Sequence, residues 1–285
     1  MRDVVKTLLR DWLRRQLPPE QFGWLEGALR KLGEGRQREL EVLFGLAPRK
    51  LGRADLSLSA EDFAAASEAR PGWDPRDWTV DEVARILALL EFAPSAAGFA
   101  DVFKQLCRTA EVGELVALYR GLPLYPEPEA LEWQAGEGLR TSMRAVFEAI
   151  AHRNPYPKEN FSEDRWNHMV LKALFIGSAL APIQGLDERR NPTLARILSD
   201  YAHERWAAGR PVTPELWRCL GPFAEGVLLE DLARLSESRD PGERRAAALA
   251  LHASPDRRAA ALLRGLPVEA TMVKTGSLSW DSLGA

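Results

Sequence analysis

Asp164, His168 and Lys172 recur every fourth residue, and Asp200, His203 and Glu204 bring a similar mixture further along the chain. On a helix the first spacing puts all three groups on one stripe. Carboxylate, imidazole and amine are the groups of acid–base chemistry. Asp200 with His203 is also an acid-x-x-His pair of the kind found in helical-bundle metal sites. Such sites need several carboxylates, and only Asp164 and His168 are available to add, so no metal or other cofactor is expected. Lys172 stands in Met-Val-Leu-Lys-Ala-Leu-Phe-Ile, where a lysine either snorkels to the surface or finds a carboxylate. Asp200 and Glu204 are its natural partners if the two helices pack antiparallel. A buried pair of that kind would suit an anionic or phenolic ligand.

The loop over residues 184–191 gathers Asp187, Glu188, Arg189, Arg190 and Asn191, and it either caps two helices or forms the mouth of a pocket. Trp166, Asn167 and Trp206 complete the candidate ligand-binding set of Asp164, Trp166, Asn167, His168, Lys172, Asp187, Arg189, Asp200, His203, Glu204 and Trp206. Tyr156 and Trp217 are further aromatic walls. The competing reading is a solvated face of i, i+4 ion pairs beside core aromatics. No catalytic residue is assigned.

Other chemistries lack their residues. There is no glycine-rich phosphate loop, no Gly-x-Ser-x-Gly elbow and no zinc-type Cys/His spacing. The chain has 285 residues, four histidines and two cysteines, Cys107 and Cys219. Two cysteines in helical contexts suit buried thiols in a reducing compartment. A net charge of −3 gives no nucleic-acid footprint. With no signal-peptide pattern and no apolar run of spanning length, a cytoplasmic location is expected.

The elements that must carry these residues are helices. Val5, Leu8, Leu9, Trp12 and Leu13 form one apolar stripe, and Arg2, Lys6, Arg10, Arg14 and Arg15 line the other side. A basic amphipathic helix over residues 3–17 can lie on a membrane or pack on its neighbour. Pro18-Pro19 ends it, and Gly33 and Gly35 punctuate the next. Pro71-Gly-Trp-Asp-Pro75 is a breaker. Thr79 with Glu82 reads as a capping box, and helices follow from Ser95 and Val112. Asn191-Pro192 and Asp240-Pro241 open later helices. Asp-Pro followed by arginines and small residues resembles a HEAT-type unit. No alternating strand pattern persists. The expectation is an all-α fold of antiparallel hairpins, either a HEAT-like α-solenoid or an irregular helical array. Its parts are an N-terminal helical segment (1–70), a main helical domain (76–265) with the motif-rich part at 153–223, and a flexible tail (266–285).

The wording of the central segment is specific. Asn154-Pro-Tyr-Pro-Lys-Glu-Asn-Phe, Trp166-Asn-His-Met-Val-Leu-Lys-Ala-Leu-Phe-Ile-Gly-Ser, Ile183-Gln-Gly-Leu-Asp-Glu-Arg and Leu198-Ser-Asp-Tyr-Ala-His-Glu-Arg-Trp-Ala-Ala-Gly-Arg-Pro resemble the EboA family. The resemblance is strong over about residues 150–224. It implies a helical protein from a bacterial gene cluster that makes or exports secondary metabolites. The cluster also encodes a prenyltransferase-like membrane protein and hydrolase- and isomerase-like proteins. It implies no activity and transfers no catalytic residue.

Three functions follow as expectations. The first is a non-enzymatic scaffold or binding protein holding a small metabolite, or a protein of the same gene cluster, in a groove formed by residues 153–217. The second is a metabolite-modifying enzyme using Lys172, His168 and a carboxylate. The third is a peripheral membrane adaptor docking through the first helix.

Overall fold

Helix-start chemistry sets much of the chain. The structure, a computed structural model, describes residues 2–32, 37–92 and 98–283. Gly33, Gly35 and the expected helix start at Ser95 lie outside the described residues. The fold is all-α; among the described residues there is no strand, and an isolated bridge joins Asp55 and Thr79. The chain divides into two compact units, Met1–Ser162 and Glu163–Ala285.

Unit 1 holds α1 (Arg2–Gln16), α2 (Pro19–Leu32), α3 (Gln37–Leu51), α4 (Ala60–Ala69) and α5 (Val80–Phe92). It continues with α6 (Phe99–Thr109), α7 (Val112–Arg120), α8 (Glu132–Leu139), α9 (Arg144–Ala151) and α10 (Tyr156–Asn160). The apolar stripe of α1 is consumed inside the fold. Val5, Leu9, Trp12 and Leu13 are buried, α1 packs on α4 and α5, and Trp12 Nε1 donates to Asp62 at 2.9 Å. Its basic side is tied down as well, with Arg10 on Glu26 at 2.7 Å and Glu91 at 3.1 Å. The face that a membrane-docking helix would insert is therefore already occupied.

α5 is the centre of unit 1, with α1, α2, α3 and α7 packed around it. All but one of its residues are buried. Three of those are ionisable: Asp81 is 4% exposed, Glu82 8% and Arg85 3%. Buried charges must be paired, and these are. Arg85 Nη1 donates to Asp81 Oδ2 at 2.7 Å, and Arg85 Nε donates to the carbonyl of Phe44 at 3.0 Å. That carbonyl lies four residues before Pro48, which sits inside α3. Proline has no N–H to close the helical bond to it. The arginine thus fills a vacancy that the proline creates. At the start of α5 the Thr79 N–H donates to Glu82 Oε2 at 3.0 Å. The Thr79 hydroxyl turns to Asp81 at 2.6 Å, so only the Glu82 half of the expected capping box forms.

Unit 2 holds α11 (Glu163–Phe175), α12 (Pro192–Ala207), α13 (Leu216–Leu220) and α14 (Val227–Ser236). After them come α15 (Pro241–Ala253), α16 (Ala259–Arg264), α17 (Pro267–Lys274) and α18 (Trp280–Leu283). α15 is the hub. Asp240 caps it by accepting from Gly242 N at 2.6 Å, with Pro241 in the first turn. Its buried run Ala246, Ala247, Ala248 and Ala250 lets α13, α14, α16 and α17 approach closely. The stretch expected to lose its helical period from residue 266 instead carries α17 and α18, and Arg244 holds α17 to α15 through Glu269 at 3.2 Å. The tightest crossing is at Gly221, where a Cβ would stand 2.8 Å from Ala250 Cα and 2.9 Å from its carbonyl oxygen. Both are backbone atoms that cannot step aside. Gly221→Ala is expected to destabilise by about 1–3 kcal/mol through overpacking. Urea unfolding measures this, and a wild-type midpoint would refute it.

Candidate functional site

In unit 1 the Pro71–Pro75 breaker makes a turn with Gly72 at φ +80. The turn presents Trp73 and Asp74 to a cavity of about 210 Å3. Arg76, Asp77, Trp78, Arg120 from the end of α7, Glu148 from α9, and His152, Arg153 and Asn154 also line it. Trp73 lies between Trp12 and Trp78, with ring centroids 5.3 and 6.0 Å away. Its indole Nε1 is buried without a hydrogen-bond partner.

Charged groups close one side in a chain. Arg153 Nη1 donates to Asp77 Oδ2 at 2.6 Å. Arg120 Nη1 donates both to the Asp77 carbonyl and to Glu82 Oε2, each at 2.6 Å. Arg76 meets Asp74 at 3.0 Å. Burial pushes the Glu82 carboxyl above its ordinary range, and Arg120 offsets part of that push. Asp77 and Arg153 have positive φ, at 62° and 47°. Such a backbone costs a non-glycine residue about 1 kcal/mol or more and gathers at functional sites. Here both strained residues belong to one ion pair beside one cavity.

Asn154 explains how the Asn-Pro-Tyr-Pro motif holds that geometry. Its buried amide donates to the carbonyls of Tyr119 and Ala149, both at 3.1 Å, and accepts from Tyr156 N at 3.0 Å. Tyr156 Oη donates to the Pro128 carbonyl at 2.5 Å. These bonds fix the turn in which Arg153 adopts its left-handed backbone.

In unit 2 the residues singled out from sequence fall into separate groups. Trp166 and Asn167 are buried in α11. The Asn167 amide exchanges hydrogen bonds with Asn191 at 3.2 and 2.9 Å, and Asn191 caps α12 by accepting from Leu194 N at 2.8 Å. Arg189 lies over the Trp166 ring at 4.8 Å. Asp187 takes a two-pronged bond from Arg218, at 2.8 and 2.7 Å. His203 Nε2 meets the buried Asp231 at 2.5 Å, and Ser199 Oγ donates to the other Asp231 oxygen at 2.6 Å. Trp206 stacks on Trp217 at 5.7 Å, with the Arg234 guanidinium 4.0 Å from its ring centroid. Asp164, His168, Asp200 and Glu204 are exposed. Lys172 is half-buried, and desolvation lowers its pKa. Asp200 and Glu204, the carboxylates expected to partner Lys172, lie exposed on α12.

Both cysteines are free, and burial pushes each thiol up to about 12, which leaves neither as a thiolate at neutral pH. Among the described residues no cluster of His, Cys, Asp or Glu is placed to hold a metal ion. No helix there is long and apolar enough to cross a membrane.

Arg218 holds the Asp187 carboxyl below its ordinary range, mainly through their hydrogen bond. A depressed folded pKa means stability present above the unfolded value and lost as pH falls through the folded one. Arg218→Met is expected to move the Asp187 titration up toward the ordinary carboxylate range in side-chain NMR, with Arg190 still beside it. An unmoved titration would show that the pair does not hold it.

Sequence reasoning missed Asp77, Arg120, Asp81 and Arg85 in unit 1 and read Glu82 only as a helix cap, and it missed Ser199, Arg218, Asp231 and Arg234 in unit 2. The available signal was three charges in Val80-Asp-Glu-Val-Ala-Arg-Ile-Leu-Ala-Leu-Leu, a helix otherwise apolar on every side.

A family model described as metabolite traffic protein EboA matches residues 5–221. The chain belongs to the EboA family. No curated protein and no solved structure matches it. The EboA span contains the whole lining of the Trp73–Arg153 cavity. It stops before α14, and so before Asp231 and Arg234.

Proposed function

We propose that this chain binds a small polar metabolite in the Trp73–Arg153 cavity and passes it on without transforming it. One observation carries the reading: Asp77 and Arg153, both in strained left-handed backbone, pair beside the cavity. The family's description as a traffic protein supports a carrier over an enzyme. So does the lining, in which Arg76, Arg120 and Arg153 each meet a carboxylate and no nucleophile is activated. At ~30 Å3 per water, the cavity has room for about seven, which suits a compact ligand. Of the segment 153–217, Arg153 and Asn154 belong to this site. Other proteins of the same pathway are the natural donors and acceptors of the cargo.

The test separates function from stability. Glycine accepts positive φ without strain, whereas a half-exposed ion pair contributes only about 0–1 kcal/mol. Asp77→Gly and Arg153→Gly are therefore expected to unfold at or above the wild-type midpoint, yet to lose bound metabolite in native mass spectrometry of protein purified from its host. Glycine variants that keep the bound mass would end the proposal.

A second locus is supported by His203. The buried Asp231 fixes its Nε2, which leaves the exposed ring's Nδ1 to meet a ligand beside Trp206. Metabolite binding lost in His203→Ala and Trp206→Ala but kept in Arg153→Gly would favour that locus.

A further inference from the structure

Another cavity of unit 1 opens beside Pro48, near the end of α3. It measures about 420 Å3, and Arg49, Arg53, Arg85, Thr109, Glu111 and Glu114 line it. We propose that it binds a small phosphate-type oxyanion, independently of the Trp73–Arg153 site.

Three arginines line this cavity, and each has a distinct standing. Arg85 is buried, and its orientation is set by the Phe44 carbonyl and Asp81. Arg49 and Arg53 are exposed, and neither makes an ion pair with any described residue. Surface arginines on a folded wall beside a buried one are a preorganised set of forked donors, the geometry that oxyanions take bidentately.

The two carboxylates of the lining stand at the start of α7. Glu114 Oε2 accepts the Glu111 N–H at 3.0 Å, and the Glu114 N–H donates to the Glu111 carbonyl at 3.0 Å. These bonds open α7, so the positive end of that helix faces the same space. Gly113 leaves room there, since a Cβ on it would meet nothing within 4 Å. Asp81 balances Arg85 from behind, and Glu111 and Glu114 keep their negative charge against that of Arg49 and Arg53, so recognition rests on the forked donors of those two exposed arginines and not on an excess of positive charge. A phosphate group with a modest organic body fits the volume, which is about fourteen waters at ~30 Å3 each.

Inorganic phosphate is the probe, exchanged against chloride at constant ionic strength, with the melting temperature and the 31P line width as readouts. The expected result is a saturable rise in melting temperature and broadening of the 31P line at millimolar phosphate. Arg49→Gln/Arg53→Gln changes only exposed side chains and is expected to weaken the apparent affinity at least tenfold. Arg153→Gly is expected to leave it unchanged. A rise that does not saturate, or one that survives in the double variant, overturns the proposal. Loss of the effect in Arg153→Gly overturns it too, because the anion would then sit at the other cavity.

Discussion

Arg85→Met is expected to lower the unfolding free energy by about 3–5 kcal/mol, the range for removing one partner of a buried ion pair. Two groups lose their partner together. Asp81 remains a buried carboxylate, with the Thr79 hydroxyl still donating to it. The Phe44 carbonyl is left without the donor that Pro48 cannot supply. The two losses separate by second substitutions. Pro48→Ala restores an N–H four residues after Phe44, and in the Arg85→Met background it should recover about 1–2 kcal/mol, the cost of an unsatisfied buried carbonyl. In the wild-type background the same change meets a carbonyl that Arg85 already serves, so its effect should be much smaller. Asp81→Leu with Arg85→Met should recover more, since apolar replacement of a buried pair is often neutral. Urea unfolding of the four-member Pro48/Arg85 cycle gives the coupling directly. Equal Pro48→Ala effects in both backgrounds would show that Arg85 does not serve that carbonyl.

Trp217→Ala is expected to cost about 3–5 kcal/mol, the range for deleting a large buried aromatic. Trp217 is fully buried and stacks on Trp206. Its Nε1 has no hydrogen-bond partner, so its contribution lies in packing and not in polar bonding. Trp217→Phe keeps most of the ring volume and breaks no hydrogen bond, and about 1–2 kcal/mol is expected from the residual cavity. Thermal and urea unfolding of the two variants decide the matter. A Phe variant as damaged as the Ala variant would mean that the indole N–H does have a partner. Trp217→Ala also removes one of the three groups against the Trp206 ring, beside His203 and Arg234, so Trp206 fluorescence should shift to longer wavelength.

The helical character was legible because it is written locally. The 3.6-residue stripe of α1, the Asn191-Pro192 and Asp240-Pro241 starts, and the Pro71–Pro75 breaker all act over a few residues, and all stand in the structure as turns or helix starts. The Asn-Pro-Tyr-Pro wording marked a real feature for a reason the sequence did not state. Asn154 reaches the Tyr119 carbonyl, which is distant in the chain, and so sets the backbone of Arg153. The stripe Asp164, His168 and Lys172 looked like chemistry because spacing puts three groups on one face. Spacing says nothing about what faces that stripe, and two of the three are exposed.

What the sequence alone determined is the class of fold, its helix starts and its family, since all three reside in local pattern and wording. What the tertiary structure decided is where the polar groups meet. Arg120 joins Glu82 and Arg85 joins Phe44 across separations that no periodicity encodes. The physical reason is burial. A charge inside a core must find a partner wherever the chain brings one, and that partner is chosen by helix packing rather than by neighbours in sequence.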